Sequence, residues 1–179
     1  MSRIAVISGS VRRGGNTELL ARAFAEGAAG RHEVTLLSVA GLDIHPCIGC
    51  GRCHAREDQR CVRKDGMDQV YDLLLGTDIL AVASPVYFYG VSAQLKALID
   101  RLHAPVRDRF PIRKLALILV GAASLPGLFD PIVLQYRMLL RFFQLEDGGM
   151  VLVRGCREKG DVRQTDGLRQ ARELGERIG

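Results

Sequence analysis

Short apolar runs that end in glycine- or proline-rich loops constrain the fold of this chain more than any other feature. Five of them predict β-strands, at residues 4–7, 33–38, 79–83, 115–120 and 150–153. Helical patterns follow them at residues 16–29, 67–75, 91–102, 128–145 and 165–178. Continuous apolar runs are typical of parallel strands covered on both faces. The alternation predicts an α/β fold, a doubly wound five-stranded parallel sheet in the order 2-1-3-4-5 with three layers. A ligand site is expected at the carboxyl edge where that order reverses.

Length and charge exclude several kinds of protein. The 179 residues predict a single domain over 1–179, with one long irregular segment at about residues 41–65, called here the cysteine loop. The net charge of +5 is spread among acidic residues, which favours small anionic ligands and gives no nucleic-acid groove. The longest apolar runs are too short to cross a bilayer, and we expect no secretory signal. Five cysteines without a signal predict a reducing, cytoplasmic location.

The loop after the first strand has the composition of a phosphate site. Its glycines, Gly9, Gly14 and Gly15, let successive N–H groups point inward, and the following helix adds the positive end of its dipole. It lacks the Gly-Lys-Ser/Thr of a Walker loop and suits a terminal monophosphate. Polar groups for the phosphate come from Ser8, Ser10, Arg12, Asn16 and Thr17. An ordinary strand-to-helix turn with a polar cap is the structural alternative.

The loop after the third strand offers backbone groups and aromatic surface to a flat ring. Its residues at the strand's carboxyl end are Pro85, Val86, Tyr87, Phe88 and Gly90, and Gly121 after the fourth strand forms a further wall. Ordinary packing of the aromatic residues is the alternative. Because the first and third strands are neighbours in the predicted order, their loops face one cleft. A phosphate loop beside a ring loop predicts flavin mononucleotide (FMN) and redox chemistry.

Three sequence patterns extend this prediction to a family. Gly-Ser-x-Arg-x-x-Gly-Asn-Thr at residues 9–17, Ser-Pro-Val-Tyr-Phe at 84–88 and Gln-Leu-Lys-Ala-Leu-Ile-Asp-Arg at 94–101 resemble the NADPH-dependent FMN reductase and iron–sulfur flavoprotein group. The resemblance covers the chain up to about Val120. It implies a flavodoxin-like fold, with the FMN phosphate on the first loop and the isoalloxazine on the second. It also implies a homodimer or homotetramer with flavin near the interface.

Four cysteines lie in the cysteine loop with the spacing Cys-x2-Cys-x2-Cys-x7-Cys. They are Cys47, Cys50, Cys53 and Cys61, and their spacing fits one 4Fe–4S cluster held by a single loop. The motif also resembles that of iron–sulfur flavoproteins, in which a cluster accepts electrons from FMN. Two alternatives stay open: bare or redox-active thiols, and a structural zinc site, which more often has paired knuckles separated by a longer spacer.

The functional hypothesis is an FMN-containing oxidoreductase that takes a hydride from NAD(P)H. We expect no obligatory side-chain acid or base, because no histidine lies in the predicted ring loop. With a cluster, single electrons would pass to a protein such as ferredoxin; without one, the acceptor would be free flavin, a quinone or another small oxidant. The alternatives are a flavodoxin-like electron carrier, which would usually be acidic, and a zinc-stabilised binding module.

Overall fold

A computed structural model describes the whole chain, Met1–Gly179. Its five strands form one sheet in the order β2-β1-β3-β4-β5, and every neighbouring pair is parallel. The strands are β1 (Arg3–Ser8), β2 (Glu33–Ser38), β3 (Ile79–Pro85), β4 (Lys114–Val120) and β5 (Glu146–Val153). The predicted fold class and strand order are confirmed.

Helices cover both faces of the sheet and make the three predicted layers. They are α1 (Asn16–Ala28), α2 (Met67–Leu75), α3 (Ala93–Arg101), α4 (Asp130–Phe143) and α5 (Gly167–Arg177). One hydrophobic core joins α1 and α5 to the sheet, and a second joins α2, α3 and α4 to its opposite face. The central strands are buried on both sides, since five of the six β1 residues are shielded from solvent. No helix of the chain has the length and apolar character needed to span a membrane.

The last strand begins four residues before the predicted start at residue 150. Pairing with β4 runs from Glu146 and shifts register between Leu115 and Leu117, opposite Gly148 and Gly149. Gly149 has φ +93°, as a β-bulge of this kind allows. The acidic and glycine residues in this stretch imitate a turn, so the sequence pattern hides the beginning of the strand.

Helices α1 and α5 pack with their backbones in direct contact. A Cβ added to Gly27 would lie 2.1 Å from the carbonyl oxygen of Arg172. A Cβ added to Gly175 would lie 2.1 Å from the carbonyl oxygen of Phe24. Only glycine permits so close an approach, and the contact brings the first and last helices of the chain together.

Candidate functional site

The loops after β1 and β3 meet at the carboxyl edge of the sheet. The Gly9 N–H donates to the Ala83 carbonyl at 2.7 Å. The Ser92 hydroxyl donates to the Gly9 carbonyl at 2.5 Å and accepts from the Leu95 N–H at 3.2 Å, so it also caps α3. The two loops that the sequence assigned to one ligand are therefore held as one unit, by a serine that the motif analysis missed. Its sequence signal was a serine at the start of the helical pattern, where polar caps are common.

Gly9 is where the first loop comes closest to α3. A Cβ at this position would stand 2.8 Å from Leu95 Cδ2 and 3.1 Å from the Ala83 carbonyl oxygen. The glycine therefore lets the loop lie directly on the helix that follows the ring loop. Any larger residue would push the two loops apart.

The phosphate loop keeps several donors that the protein does not use. No side chain caps the N terminus of α1, so the N–H groups of Asn16, Thr17 and Glu18 have no hydrogen-bond partner. The Ser8 hydroxyl is fully buried without a hydrogen-bond partner, and Thr17, in the first turn of α1, is also buried. The Ser10 hydroxyl instead accepts from the Arg12 N–H at 3.1 Å and shapes the turn, while the Arg12 side chain is exposed. Free N–H groups, an orphaned hydroxyl and a helix dipole are what an anionic phosphate requires.

Glu18 already places one negative charge at this end of α1. Its carboxylate accepts from the Gly14 N–H at 2.7 Å and pairs with Arg22 at 2.6 Å. Hydrogen bonds from Arg22 and then from Gly14 hold the pKa of Glu18 below its ordinary value. The Gly14 N–H is therefore not one of the free donors of the loop.

Asn16 has a different task from the one that its motif position implied. Its Nδ2 group donates to the carbonyls of Glu158 at 2.8 Å and Cys156 at 3.5 Å. Its Oδ1 accepts from the N–H groups of Gly160 at 2.8 Å and Val162 at 3.3 Å. All the side-chain capacity of this amide is used on the loop after β5. Only its backbone N–H, at the start of α1, is left without a hydrogen-bond partner.

The loop that Asn16 anchors brings a further cation close to the predicted phosphate loop. A Cβ on Gly14, which has φ +65°, would lie 3.4 Å from Lys159 Nζ. The lysine sits between Glu158 and Gly160, the two residues that Asn16 holds most tightly. Nothing in the sequence pattern points to Lys159, because it lies more than 140 residues beyond Asn16.

The ring loop turns sharply and displays its aromatic side chains. Tyr87 and Gly90 exchange two backbone hydrogen bonds of 2.9 Å, which close a four-residue turn. Its central residues, Phe88 and Tyr89, have φ of +47° and +63°, as in a type I′ turn. Bulky residues rarely adopt positive φ, and the exposed fraction of Phe88 is 102%. Exposed aromatic residues with a strained backbone are often found at binding sites.

Backbone hydrogen bonds tie the walls of the cleft to neighbouring strands. The Val86 N–H donates to the Val120 carbonyl, and the Gly121 N–H donates to the Val153 carbonyl, both at 2.9 Å. A Cβ on Gly121 would stand 2.5 Å from Leu128 Cδ2, so the wall after β4 is packed as tightly as glycine allows. Pro85 ends β3 at the same edge. The structure therefore brings the predicted phosphate, ring and wall residues to one edge.

The cysteine loop follows β2 at the same edge of the sheet. All four of its cysteines are free thiols: Cys47 and Cys50 are exposed, and Cys53 and Cys61 are half-buried. Gly49 and Gly51 have φ of +66° and +68°. The Gly49 N–H donates to Cys47 Sγ at 3.4 Å. No three histidine, cysteine or acidic side chains are arranged so that they could hold a metal ion. The thiol donor set itself suits an iron–sulfur cluster.

Comparisons with known proteins identify the family. The model of the NADPH-dependent FMN reductase family matches residues 2–144. The iron-sulfur flavoprotein MJ1083 of Methanocaldococcus jannaschii is 34% identical over 182 residues, covering 96% of this chain and 93% of that protein. YwqN of Bacillus subtilis, a candidate NAD(P)H-dependent FMN-containing oxidoreductase, is 31% identical over 182 residues and covers 96% of each chain. An NAD(P)H:quinone oxidoreductase from Methanothermobacter marburgensis superposes with a TM-score of 0.75 at 14% identity over 99% of each chain, which shows a shared fold.

Proposed function

Since the chain belongs to the NADPH-dependent FMN reductase family, we propose that it binds FMN where the loops after β1, β3 and β4 meet and passes electrons from NAD(P)H to a small-molecule acceptor. The chain is a flavin oxidoreductase of that family. The observation that carries the proposed site is the bond from Ser92 to Gly9, which joins the phosphate loop to the ring loop. Bound FMN supplies the redox chemistry, accepting a hydride and releasing electrons singly or in pairs.

The phosphate would be held by groups that the protein leaves free. These are the Ser8 hydroxyl, the Thr17 hydroxyl and the N–H groups at the start of α1, with positive charge from Arg12 and Lys159. Ser10 and Asn16 contribute their backbone and hold the loops in shape, because their side chains are already bonded within the protein.

The ring would lie against the loop after β3. The residues proposed to contact it are Pro85, Val86, Tyr87, Phe88, Gly90 and Gly121. Backbone groups at strand ends can hydrogen-bond the polar edge of a flavin, and the aromatic side chains can cover its face. No histidine occurs in the loops after β1, β3 or β4, so these residues bind and orient and do not act as a general acid or base.

The cysteine loop is proposed to hold a 4Fe–4S cluster through Cys47, Cys50, Cys53 and Cys61. Free thiols, two left-handed glycines and an N–H directed at Cys47 Sγ support a thiolate-ligated cluster. The name of the Methanocaldococcus relative points the same way. A cluster supplies one-electron transfer when bound, and ferredoxin is the class of protein partner that accepts single electrons. Thiolate ligands and NAD(P)H also favour a cytoplasmic location.

The exposed face of α4 supports assembly into a homodimer or homotetramer of single-domain chains. It carries five large exposed side chains: Leu134, Met138, Leu139, Phe142 and Phe143. Contiguous apolar surface of this kind marks an interface. Sedimentation of the wild-type protein and of a variant with M138E and F142E tests this part, and the variant is expected to be a monomer.

One purification tests the main proposal. Protein prepared without oxygen should carry FMN at about one per chain and iron at about four per chain, with a flavin spectrum and a broad iron–sulfur shoulder. NADPH should bleach the flavin. A chain with zinc and without flavin would overturn the proposal. Flavin that NADPH does not bleach would favour an electron carrier, and flavin without iron would remove the cluster.

Lys159 provides the variant test of the phosphate site. K159M should weaken FMN binding about three- to tenfold, because an exposed cation near a phosphate contributes about 1 kcal/mol. K96M is the matched control, since Lys96 is an exposed lysine paired with Asp100 on α3. The difference should shrink in high salt. Equal FMN affinity in both variants would remove Lys159 from the site.

A further inference from the structure

A buried ion pair closes the base of the cysteine loop. Arg101, the last residue of α3, is 2% exposed. Its Nη1 and Nη2 groups donate to the two carboxylate oxygens of Asp65 at 2.8 and 3.1 Å, and Nη1 also donates to the His45 carbonyl at 2.8 Å. The Gly66 N–H donates to the Asp43 carbonyl at 2.8 Å. Because His45 precedes the four cysteines and Asp65 follows them, one guanidinium joins both ends of the loop.

Further hydrogen bonds hold the Arg101–Asp65 ion pair, called here the clamp, in place. The Asp65 carboxylate accepts from the N–H groups of His45 at 3.3 Å and Met67 at 3.1 Å, and the Tyr71 hydroxyl donates to the Arg101 carbonyl at 2.8 Å. Burial alone would raise the pKa of Asp65, but hydrogen bonds from Arg101, Met67 and His45 outweigh it and hold the pKa below its ordinary value. The pair is therefore charged, and it connects the loop to both α2 and α3.

A gain in stability alone does not explain why this ion pair is buried. The side chains of Arg101 and Asp65 are 1% and 4% exposed, whereas those of Lys96 and Asp100, which pair along the same helix, are 53% and 44% exposed. Removing two charges from water is costly, and apolar residues of similar volume often stabilise a core as well. The Arg101 Nε–H is also buried without a partner. What the pair does supply is a fixed position for two backbone segments that are distant in sequence.

We propose that Arg101 is the positioning residue of the cysteine loop. Its guanidinium fixes the separation of the two ends of the loop, so that four thiols carried between them can reach one cluster. Helix α3 is capped by Ser92, beside the proposed flavin loops, and ends at Arg101, so it also fixes the cysteine loop relative to the flavin site. This inference rests on the proposed function, because it gives the loop a cluster to hold.

The test compares a double variant with matched controls. R101M with D65N removes both charges together, so neither is left buried alone, and the amide introduced at position 65 keeps an acceptor for the Met67 N–H. R101K restores a charge without the two-pronged contact. K96M breaks the exposed ion pair on the same helix.

Each protein is reconstituted with iron and sulfide without oxygen. The measurements are FMN content, iron content, the electron paramagnetic resonance spectrum of the reduced protein, and tryptic cleavage of the metal-free chain. The sites for trypsin in the loop are Arg52, Arg56, Arg60, Arg63 and Lys64.

The double variant should keep the FMN content of wild type. Its iron content should fall at least threefold, its cluster spectrum should broaden, and its loop should be cleaved at least tenfold faster. R101K should recover part of the iron content, and K96M should match wild type. Wild-type iron content and cleavage rate in the double variant would overturn the proposal. A parallel loss of FMN would also overturn it, since the pair would then support the whole fold. If wild type itself takes up no cluster, the proposal of a cluster is wrong. The rate of tryptic cleavage then tests by itself whether the ion pair holds the two ends of the loop.

Discussion

Replacing Asn16, the only asparagine of the chain, separates two roles that the sequence cannot distinguish. A phosphate ligand would matter only when FMN is bound. The structure instead uses the side chain to join α1 to the loop after β5, through two hydrogen bonds of 2.8 Å and two longer ones of 3.3 and 3.5 Å. The N16A substitution should therefore destabilise the protein even without FMN.

The expected loss follows from those four bonds. The two short bonds contribute about 1 kcal/mol each and the two long ones about half as much, so N16A should lower the free energy of unfolding by about 2–3 kcal/mol. For a chain of this length the melting temperature should fall by about 4–12 °C. The affinity for FMN should also fall, since the loop that carries Lys159 loses its anchor.

Urea unfolding of FMN-free protein, followed by circular dichroism, is the appropriate assay. Q164A is the matched control, because Gln164 is an exposed amide in the same loop region. FMN-saturated samples measured in parallel give the change in affinity through the added stability. If FMN-free N16A is as stable as Q164A while FMN binding weakens, Asn16 is a direct phosphate ligand and the reasoning from its hydrogen bonds is wrong.

Three further predictions follow from close contacts, backbone strain and charge. G121A should cost about 1–3 kcal/mol of stability in thermal unfolding, because its Cβ would meet Leu128, whereas G30A, with nothing within 4 Å, should cost nothing measurable. The double substitution F88N and Y89G should raise stability by about 1 kcal/mol, since Asn-Gly suits positive φ, and should weaken FMN binding in fluorescence titration; a less stable variant would contradict the strain. Asp65 has a lowered pKa, so its contribution is present above about pH 4 and is lost as the pH falls through its folded value. D65N should therefore be about 3 kcal/mol less stable than wild type near pH 7 in urea unfolding, with the gap closing below pH 4; a constant gap would refute the linkage.

The sequence predicted the strand order because its signals are local and repeated. Each buried parallel strand is a continuous apolar run, and each run ends in a loop rich in glycine, proline or serine. The one strand whose start was misplaced, β5, begins with Glu146 and Asp147 followed by two glycines of a bulge. Its first residues pair with β4 through backbone groups, which carry no side-chain pattern.

The candidate site was predicted less completely because its supports are distant in sequence. Ser92 could be recognised as a helix cap, but its bond to Gly9 crosses 83 residues. Arg101 lies one turn after Leu98 on the buried side of α3, and a charge at such a position was the available signal. Asn16 was predicted to contact the phosphate through its position in the motif, but its side chain is occupied by partners that only the folded chain brings near.

The close packing of α1 against α5 at Gly27 and Gly175 has a consequence for the order of events during synthesis. The family pattern ends near residue 144, yet the anchors of the phosphate loop lie between residues 156 and 162, and α5 holds them in place from beyond. During synthesis the proposed phosphate loop, at residues 9–17, is therefore made before the support that shapes it. The proposed flavin pocket, which includes Ser8, can be completed only after residue 162 has been made, so we expect flavin to be captured late in folding.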